Sequence, residues 1–139
     1  MKRVLVLPDL QIYENKGQID GIDLKTWGVV LKYARKYLWD EVVLIGDVLD
    51  LNCISNHNFD NLRAVEEQRV AKDFWAGNVI LDQLQRAVPK ANLTYLQGNH
   101  EYRLERLVNS IPALEGSIEV EKWLRLKERG IRYVKFWEN

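Results

Sequence analysis

The sequence predicts an α/β fold in which a mostly parallel sheet is flanked by helices. Three observations predict it. Short apolar runs alternate with longer amphipathic segments along the chain. Residues 42–45 are apolar at every position, as a strand buried in a parallel sheet is. Three such runs are each followed within two residues by Pro or Gly and then by acid or amide side chains: PDLQ after the first, GDVLD after the second, GNHE after the third.

Taken in order, residues 4–7 form a short strand stopped by Pro8, and a loop bearing Gly and Asn runs to about Gly21. Asp23 caps a helix reaching about Tyr37, whose Trp27, Val30, Leu31 and Ala34 recur at the spacing of one helical face. Residues 42–45 form the second strand, and residues 52–65 a polar loop. A longer helix runs over about 64–88, with Val70, Phe74, Leu81, Leu84 and Val88 near one stripe and Pro89 ending it. Residues 93–96 form a third strand, where Thr94 and Tyr95 favour extended backbone. A helix follows over about 101–109, and Pro112 interrupts the chain. A helix over about 118–128 and a strand over 131–136 close the sequence.

The 139 residues suit one domain, and a chain of this size buries roughly 68–70% of its unfolded surface. A composition of 47% hydrophobic and 29% charged residues is that of a folded chain. Twenty basic and 20 acidic residues cancel, which argues against a general nucleic-acid coat and leaves room for a local basic groove. The single cysteine, Cys53, rules out a disulfide framework and fits a reducing cytoplasm. With no activating partner nearby, it reads as a small apolar residue beside a loop and not as a nucleophile. No apolar run reaches the ~18–20 residues of a membrane span, and the apolar stretch of MKRVLVLPD is too short for a signal peptide. A cytoplasmic protein with no membrane partner is expected.

In parallel α/β sheets ligands bind beyond the carboxyl ends of the strands, and all three polar clusters fall there. Each alone is ordinary. An Asp after a strand is commonly a turn former or helix cap, and a lone loop His is commonly just a hydrogen-bonded residue. Together, Asp9, Gln11, Asp47, Asp50, Asn99 and His100 gather oxygen donors and one imidazole at a single edge. Carboxylate and amide oxygens suit Mg²⁺ or Mn²⁺, and clustered acids repel one another unless a cation neutralises them.

At these residues the sequence resembles the calcineurin-like metallophosphoesterases, whose pattern is D-x-H, GD-x-x-D, GNH-D/E, a lone His and then GH-x-H. DLQ, GDVLD and GNHE follow in that order. The stretches LIGDVLDLNCIS and AVPKANLTYLQGNHEYRLERLVNSIPAL are similar to phage- and bacterial-type members. GNHE in this setting is specific, whereas DLQ is not. The resemblance covers most of the chain but only the N-terminal half of a typical family domain. It therefore implies a single unit over residues 1–139 that corresponds to the first half of that α/β sandwich. It also implies hydrolysis of phosphomono- or phosphodiesters by metal-activated water, with nucleotides or nucleic acid among the candidate substrates. A complete domain would hold two divalent cations, Mn²⁺ or Mg²⁺. By position, Asp9 would bind the first metal, Asp47 would bridge both, and Asn99 would bind the second through its amide oxygen. His100 would contact the phosphate and act as general acid, with Asp50 orienting it.

Two departures qualify the match. Gln11 stands where the family most often has a metal-binding His; its carbonyl oxygen still suits Mg²⁺ or Mn²⁺. The chain has only two histidines, His57 and His100, so the lone His and GH-x-H have no counterpart. His57 lies between the second and third motifs, out of chain order for either, and reads as a solvated loop residue. Three explanations follow, in this order. The chain is the N-terminal piece of a longer enzyme; a second chain supplies the missing histidines and covers the sheet edge near residues 131–136; or this is a degenerate binding or assembly module without catalysis. The five tryptophans could mark such an uncovered surface, although aromatics are usually core. A receiver-like or nucleotide-binding domain with one Mg²⁺ is a more distant alternative, since GNHE has no role there and no P-loop is present. Arg63, Arg103 and Arg106 read first as solvated helix-face charges pairing with Glu66, Glu101 or Glu105, and second as phosphate binders.

Overall fold

The structure is a computed structural model that describes residues 1–58 and 60–136. Phe59, within the segment read as a polar loop, and Trp137, one of the five tryptophans, lie outside the described residues. In chain order the elements are β1 (Val4–Leu7), β2 (Tyr13–Asn15), β3 (Gln18–Asp20), α1 (Leu24–Lys36), β4 (Glu41–Leu44), α2 (Val70–Ala87), β5 (Asn92–Leu96), α3 (Asn99–Ser110), α4 (Val120–Trp123) and β6 (Ile131–Val134).

The expected parallel α/β sheet is present. Its four strands run in the order β1-β4-β5-β6, every pair parallel. Leu5, Val42, Leu93 and Ile131 share one register row, and Leu7, Leu44, Tyr95 and Tyr133 the row two residues on. Because side chains alternate across a sheet, both rows face the same side. There they join Trp27, Leu31 and Ala34 of α1 and Phe74, Ile80, Leu81 and Leu84 of α2 in one core. Val120, Leu124 and Leu126 belong to it as well.

The strand order never reverses. Crossovers between parallel strands share one hand, so a sheet that grows in one direction receives its helices on one face. The opposite face carries Val4, Val6 and Ile45 at 42, 51 and 45% exposure. Its rows also carry Glu41, Asn92, Thr94 and Arg132, so the face mixes apolar and polar side chains; parallel sheets are ordinarily covered on both sides.

The helix starts are set locally. The Asp23 carboxylate accepts from the Lys25 N–H at 3.0 Å and the Thr26 hydroxyl at 2.7 Å, capping α1 as its sequence position suggested. Arg35 and Lys36 occupy the last turn, where positive charge opposes the helix dipole. Trp27 ties α1 to α2 by donating its indole N–H to the Gln83 amide oxygen at 2.7 Å.

Four expectations need correction. The segment before Gly21 is not all loop, because β2 and β3 pair as an antiparallel hairpin closed at Lys16 and Gly17, both at positive φ. The long helix starts at Val70 and not near 64; Arg69 is extended there, and its guanidinium donates to the Glu66 and Gln68 carbonyls, closing off the turns before it. The segment expected as a polar loop over 52–65 contains 3₁₀ turns at Asn52–Ile54, Asn56–Asn58 and Leu62–Val65. The helix expected over 118–128 is only α4, because Arg125 at φ 54° diverts the chain after Leu124. Among the described residues no helix is long and apolar enough to cross a membrane.

One buried acid sits between the hairpin and α2. Asp73 is fully buried, and its Oδ1 accepts from the Glu14 N–H at 3.3 Å. Its Oδ2 has no hydrogen-bond partner among the described residues. Burial pushes its carboxyl up to about 7, with the Asp50 and Glu14 carboxylates adding to the effect and hydrogen bonds from the Glu14 and Leu51 amides opposing it. In the unfolded chain the same group ionises near the ordinary Asp value of about 3.9. Between those two values the folded form holds the proton and the unfolded form has lost it, so stability falls as pH rises from about 4 to about 7 and then levels. Asp73→Asn removes this slope. In urea titrations the variant is expected to gain on the parent as pH rises across that window, by at most about 4 kcal/mol for a shift of about three units. Equal slopes in the two proteins would remove Asp73 as the source.

Candidate functional site

The loops after β1 and β4 are joined by a short parallel ladder beyond the sheet. The Gln11 N–H donates to the Asp47 carbonyl at 2.8 Å, the Ile12 N–H to Val48 at 2.8 Å, and the Asp50 N–H to Ile12 at 2.9 Å. Ile12, Val48, Leu49 and Leu51 are completely buried and anchor it. Gln11, Asp47 and Leu51 all adopt left-handed backbone, with φ of 47, 49 and 48°. Non-glycine residues rarely do this, at a cost of about 1–3 kcal/mol each, and such strain gathers at functional sites. Gly46, at φ 95°, lies so close to the third loop that a Cβ would come within 2.6 Å of the Gly98 Cα. That contact is what lets the second and third loops touch.

Glu101 locks those two loops together. Its carboxylate is fully buried at the start of α3. Oε1 accepts from the Val48 N–H at 2.9 Å, the Leu49 N–H at 3.1 Å and the Tyr95 hydroxyl at 2.7 Å. Oε2 accepts from the Asp47 and Gly98 N–H groups, each at 2.9 Å. The bond to Gly98 is local, a side chain at the third helical position reaching back to the backbone N–H of the residue before the helix, although Gly98 has no side chain to return it. The hydrogen-bonded Glu101 charge and burial also hold the Tyr95 phenol well above its ordinary range, burial being the larger cause.

Asp47 and His100 meet across this junction, the Asp47 Oδ1 accepting from the His100 backbone N–H at 2.8 Å. The imidazole Nδ1 lies 2.7 Å from the Asp50 backbone carbonyl and 3.5 Å from the Asp50 Oδ1. Asp50 thus sits beside His100, but its carbonyl and not its carboxylate is the nearer acceptor. Burial raises the Asp50 carboxyl, against the opposing pull of His100 and Arg103. Arg103 is not the solvated helix-face charge expected from the sequence. It is 8% exposed, donates from Nη1 to the Asp50 carbonyl at 2.8 Å, and places Nη2 at 3.1 Å from the His100 Nε2.

The remaining candidates form an open rim. Asp9, Gln11 and Asn99 are exposed, and their side chains make no hydrogen bond or ion pair among the described residues. With Asp47 they offer two carboxylates and two amides, an all-oxygen set that fits a hard divalent cation. Among the described residues no group of three His, Cys, Asp or Glu side chains is placed to hold a metal by itself. By its chemistry this donor set suits a hard divalent cation only if the amide oxygens take part.

The other singled-out residues stand apart. Burial and the Asp73 charge push the Cys53 thiol up to about 11, which leaves it protonated and inert at neutral pH. His57 is exposed on a 3₁₀ turn. Arg63 is exposed, and Arg106 lies 5.9 Å from the centre of the Tyr102 ring. No family model, curated protein or solved structure matches the chain.

Proposed function

We propose that this chain carries the N-terminal part of a metal-dependent phosphoesterase site. The observation that carries the reading is the joining of three strand-end loops. The ladder from Gln11 to Asp47, the Glu101 carboxylate and the Asp47–His100 bond tie together the loops that carry Asp9, Gln11, Asp47, Asn99 and His100. This order and chemistry are those of the resemblance described above. A divalent cation, when bound, supplies charge neutralisation at the phosphoryl oxygens and a water acidic enough to attack phosphorus.

The chain's own residues supply the rest. Asp9, Gln11, Asp47 and Asn99 would hold the cation through oxygen. Asp47 is oriented before any ligand arrives, because its backbone is fixed by Gln11 and Glu101 and one oxygen by His100. Such preorganisation lowers the reorganisation a site must undergo. Arg103, whose guanidinium touches His100 and the Asp50 carbonyl, carries donors suited to phosphate oxygen. The nitrogen ligands implied by the resemblance would come from histidines outside these 139 residues or from a second chain. The half-open face bearing Val4, Val6 and Ile45 is a surface on which a further layer could bring them to the same edge.

Calorimetry with Mn²⁺ tests the site. The parent should bind, and Asp47→Ala should weaken binding by at least tenfold, about 1.4 kcal/mol. Hydrolysis of a chromogenic phosphodiester tests the reaction. Activity or Mn²⁺ binding that survives both Asp47→Ala and Asn99→Ala would reject the assignment. The lack of a three-ligand cluster among the described residues favours a second reading, a non-catalytic binding module on the same fold. Absent Mn²⁺ binding in the folded parent would favour that alternative.

A further inference from the structure

We propose that Arg103 is a positioning residue that fixes the His100 imidazole as its Nδ1–H tautomer and occupies the Nε2 lone pair. Only the functional consequence of this rests on the phosphoesterase reading. The two residues sit three apart on α3, a spacing at which helical side chains meet. Three contacts close a ring. His100 Nδ1 is 2.7 Å from the Asp50 carbonyl, Arg103 Nη1 donates to that carbonyl at 2.8 Å, and Arg103 Nη2 is 3.1 Å from His100 Nε2.

The chemistry of the partners determines where the proton sits. A guanidinium has donors only, so its contact with Nε2 is a hydrogen bond only if Nε2 accepts. The proton then belongs to Nδ1. A carbonyl oxygen has only lone pairs, so the short Nδ1 contact requires the same. Two separate contacts thus assign one tautomer. The nearest acidic oxygen, Asp50 Oδ1 at 3.5 Å from Nδ1, lies on the same side of the ring and reinforces it.

This arrangement determines what an approaching phosphate meets. With Nε2 held by Arg103, the imidazole presents no proton from that nitrogen, and a donor role for Nε2 requires Arg103 to move first. A charged phosphoryl oxygen is a stronger acceptor than a neutral ring nitrogen. It would draw Nη2 away, and the freed Nε2 would have to take up a proton, from solvent or from a protonated phosphoryl oxygen, before the imidazole could donate to the same group.

The test is a long-range ¹H–¹⁵N correlation spectrum of the imidazoles in the ¹⁵N-labelled 139-residue chain, recorded about two pH units above the ordinary histidine value. The chain has only two histidines. The exposed His57 serves as internal reference, and His57→Gln assigns the pair. His100 should show a pyrrole-type Nδ1 and a pyridine-type Nε2, while His57 shows the averaged pattern of a free imidazole. A pyrrole-type Nε2 at His100 would overturn the proposal, and this measurement needs no variant at Arg103. Arg103→Met should shift the His100 Nε2 resonance. Arg103→Lys should restore it only in part, because an ammonium lacks the fork that reaches both acceptors. An unchanged His100 pattern in folded Arg103→Met would also overturn it. Both readouts are taken without metal or substrate, so they stand or fall separately from phosphoesterase activity.

Discussion

Glu101→Ala is expected to destabilise the protein by at least about 3 kcal/mol in urea titration, near the upper end of single-residue effects. The substitution removes the acceptor for four backbone N–H groups and one phenol, all at the junction of two loops. Stranding a buried donor costs about 1–3 kcal/mol. Loop relaxation and water entry would recover some of this, which keeps the sum below the simple total. A domain's whole stability is about 5–15 kcal/mol, so the variant should be close to unfolding at 37 °C. Glu101→Gln should rescue little. Each carboxylate oxygen already accepts at least two hydrogen bonds, so the new amide NH₂ would face donors whichever way it turned. Tyr95→Phe, which removes a single donor, should cost only about 1 kcal/mol. If Glu101→Ala cost no more than Tyr95→Phe, Glu101 would not be holding the loops.

How far the sequence reveals this molecule depends on the range over which each feature is decided. Strands β4 and β5 were legible because a parallel strand shows as an apolar run, and α1 because Asp23 and the Trp27–Leu31–Ala34 stripe act within a few residues. The β2–β3 hairpin was not, since Tyr-Glu-Asn paired with Gln-Ile-Asp has too few apolar positions to alternate. The candidate site follows the same division. The order of Asp9, Asp47 and Asn99 along the chain could be read directly. The work of Glu101 depends on loops more than 50 residues away, and only its bond to Gly98 is local. Asp50 illustrates a different limit. Its nearest contact to His100 uses the backbone carbonyl, a group every residue has, so the identity of the side chain gives no hint of it. Arg103 was misjudged because helix spacing placed it near acidic neighbours, whereas burial turned it toward His100 and Asp50.

Gly98→Ala should abolish Mn²⁺ binding without altering any proposed ligand. The residue's own backbone would accept alanine, because its φ of −93° with ψ of 179° is ordinary extended geometry. The obstacle is proximity. A Cβ there would stand 2.1 Å from the Asp47 N, 2.3 Å from the Asp47 Oδ1 and 2.7 Å from the Glu101 Oε2. Two of these are atoms of the carboxylates that define the site, and the third is backbone already hydrogen-bonded to Glu101. No rotamer change relieves a clash with backbone, so the second and third loops must separate. Separation breaks the Asp47–His100 bond and moves the proposed bridging carboxylate away from Asn99. Overpacking of this kind costs about 1–3 kcal/mol in stability, any Glu101 bond broken as the loops part adds to it, and urea titration establishes that the variant is folded before metal binding is read. Gly28→Ala in α1 is the matched control: an added Cβ meets nothing within 4 Å, and alanine should stabilise the helix by up to about 1 kcal/mol. The two variants should therefore diverge in both stability and metal binding. In Gly98→Ala the His100 amide resonance should also move, since it loses its Asp47 acceptor. Parental Mn²⁺ affinity together with an unmoved His100 amide would show that the close approach of these loops does not shape the site.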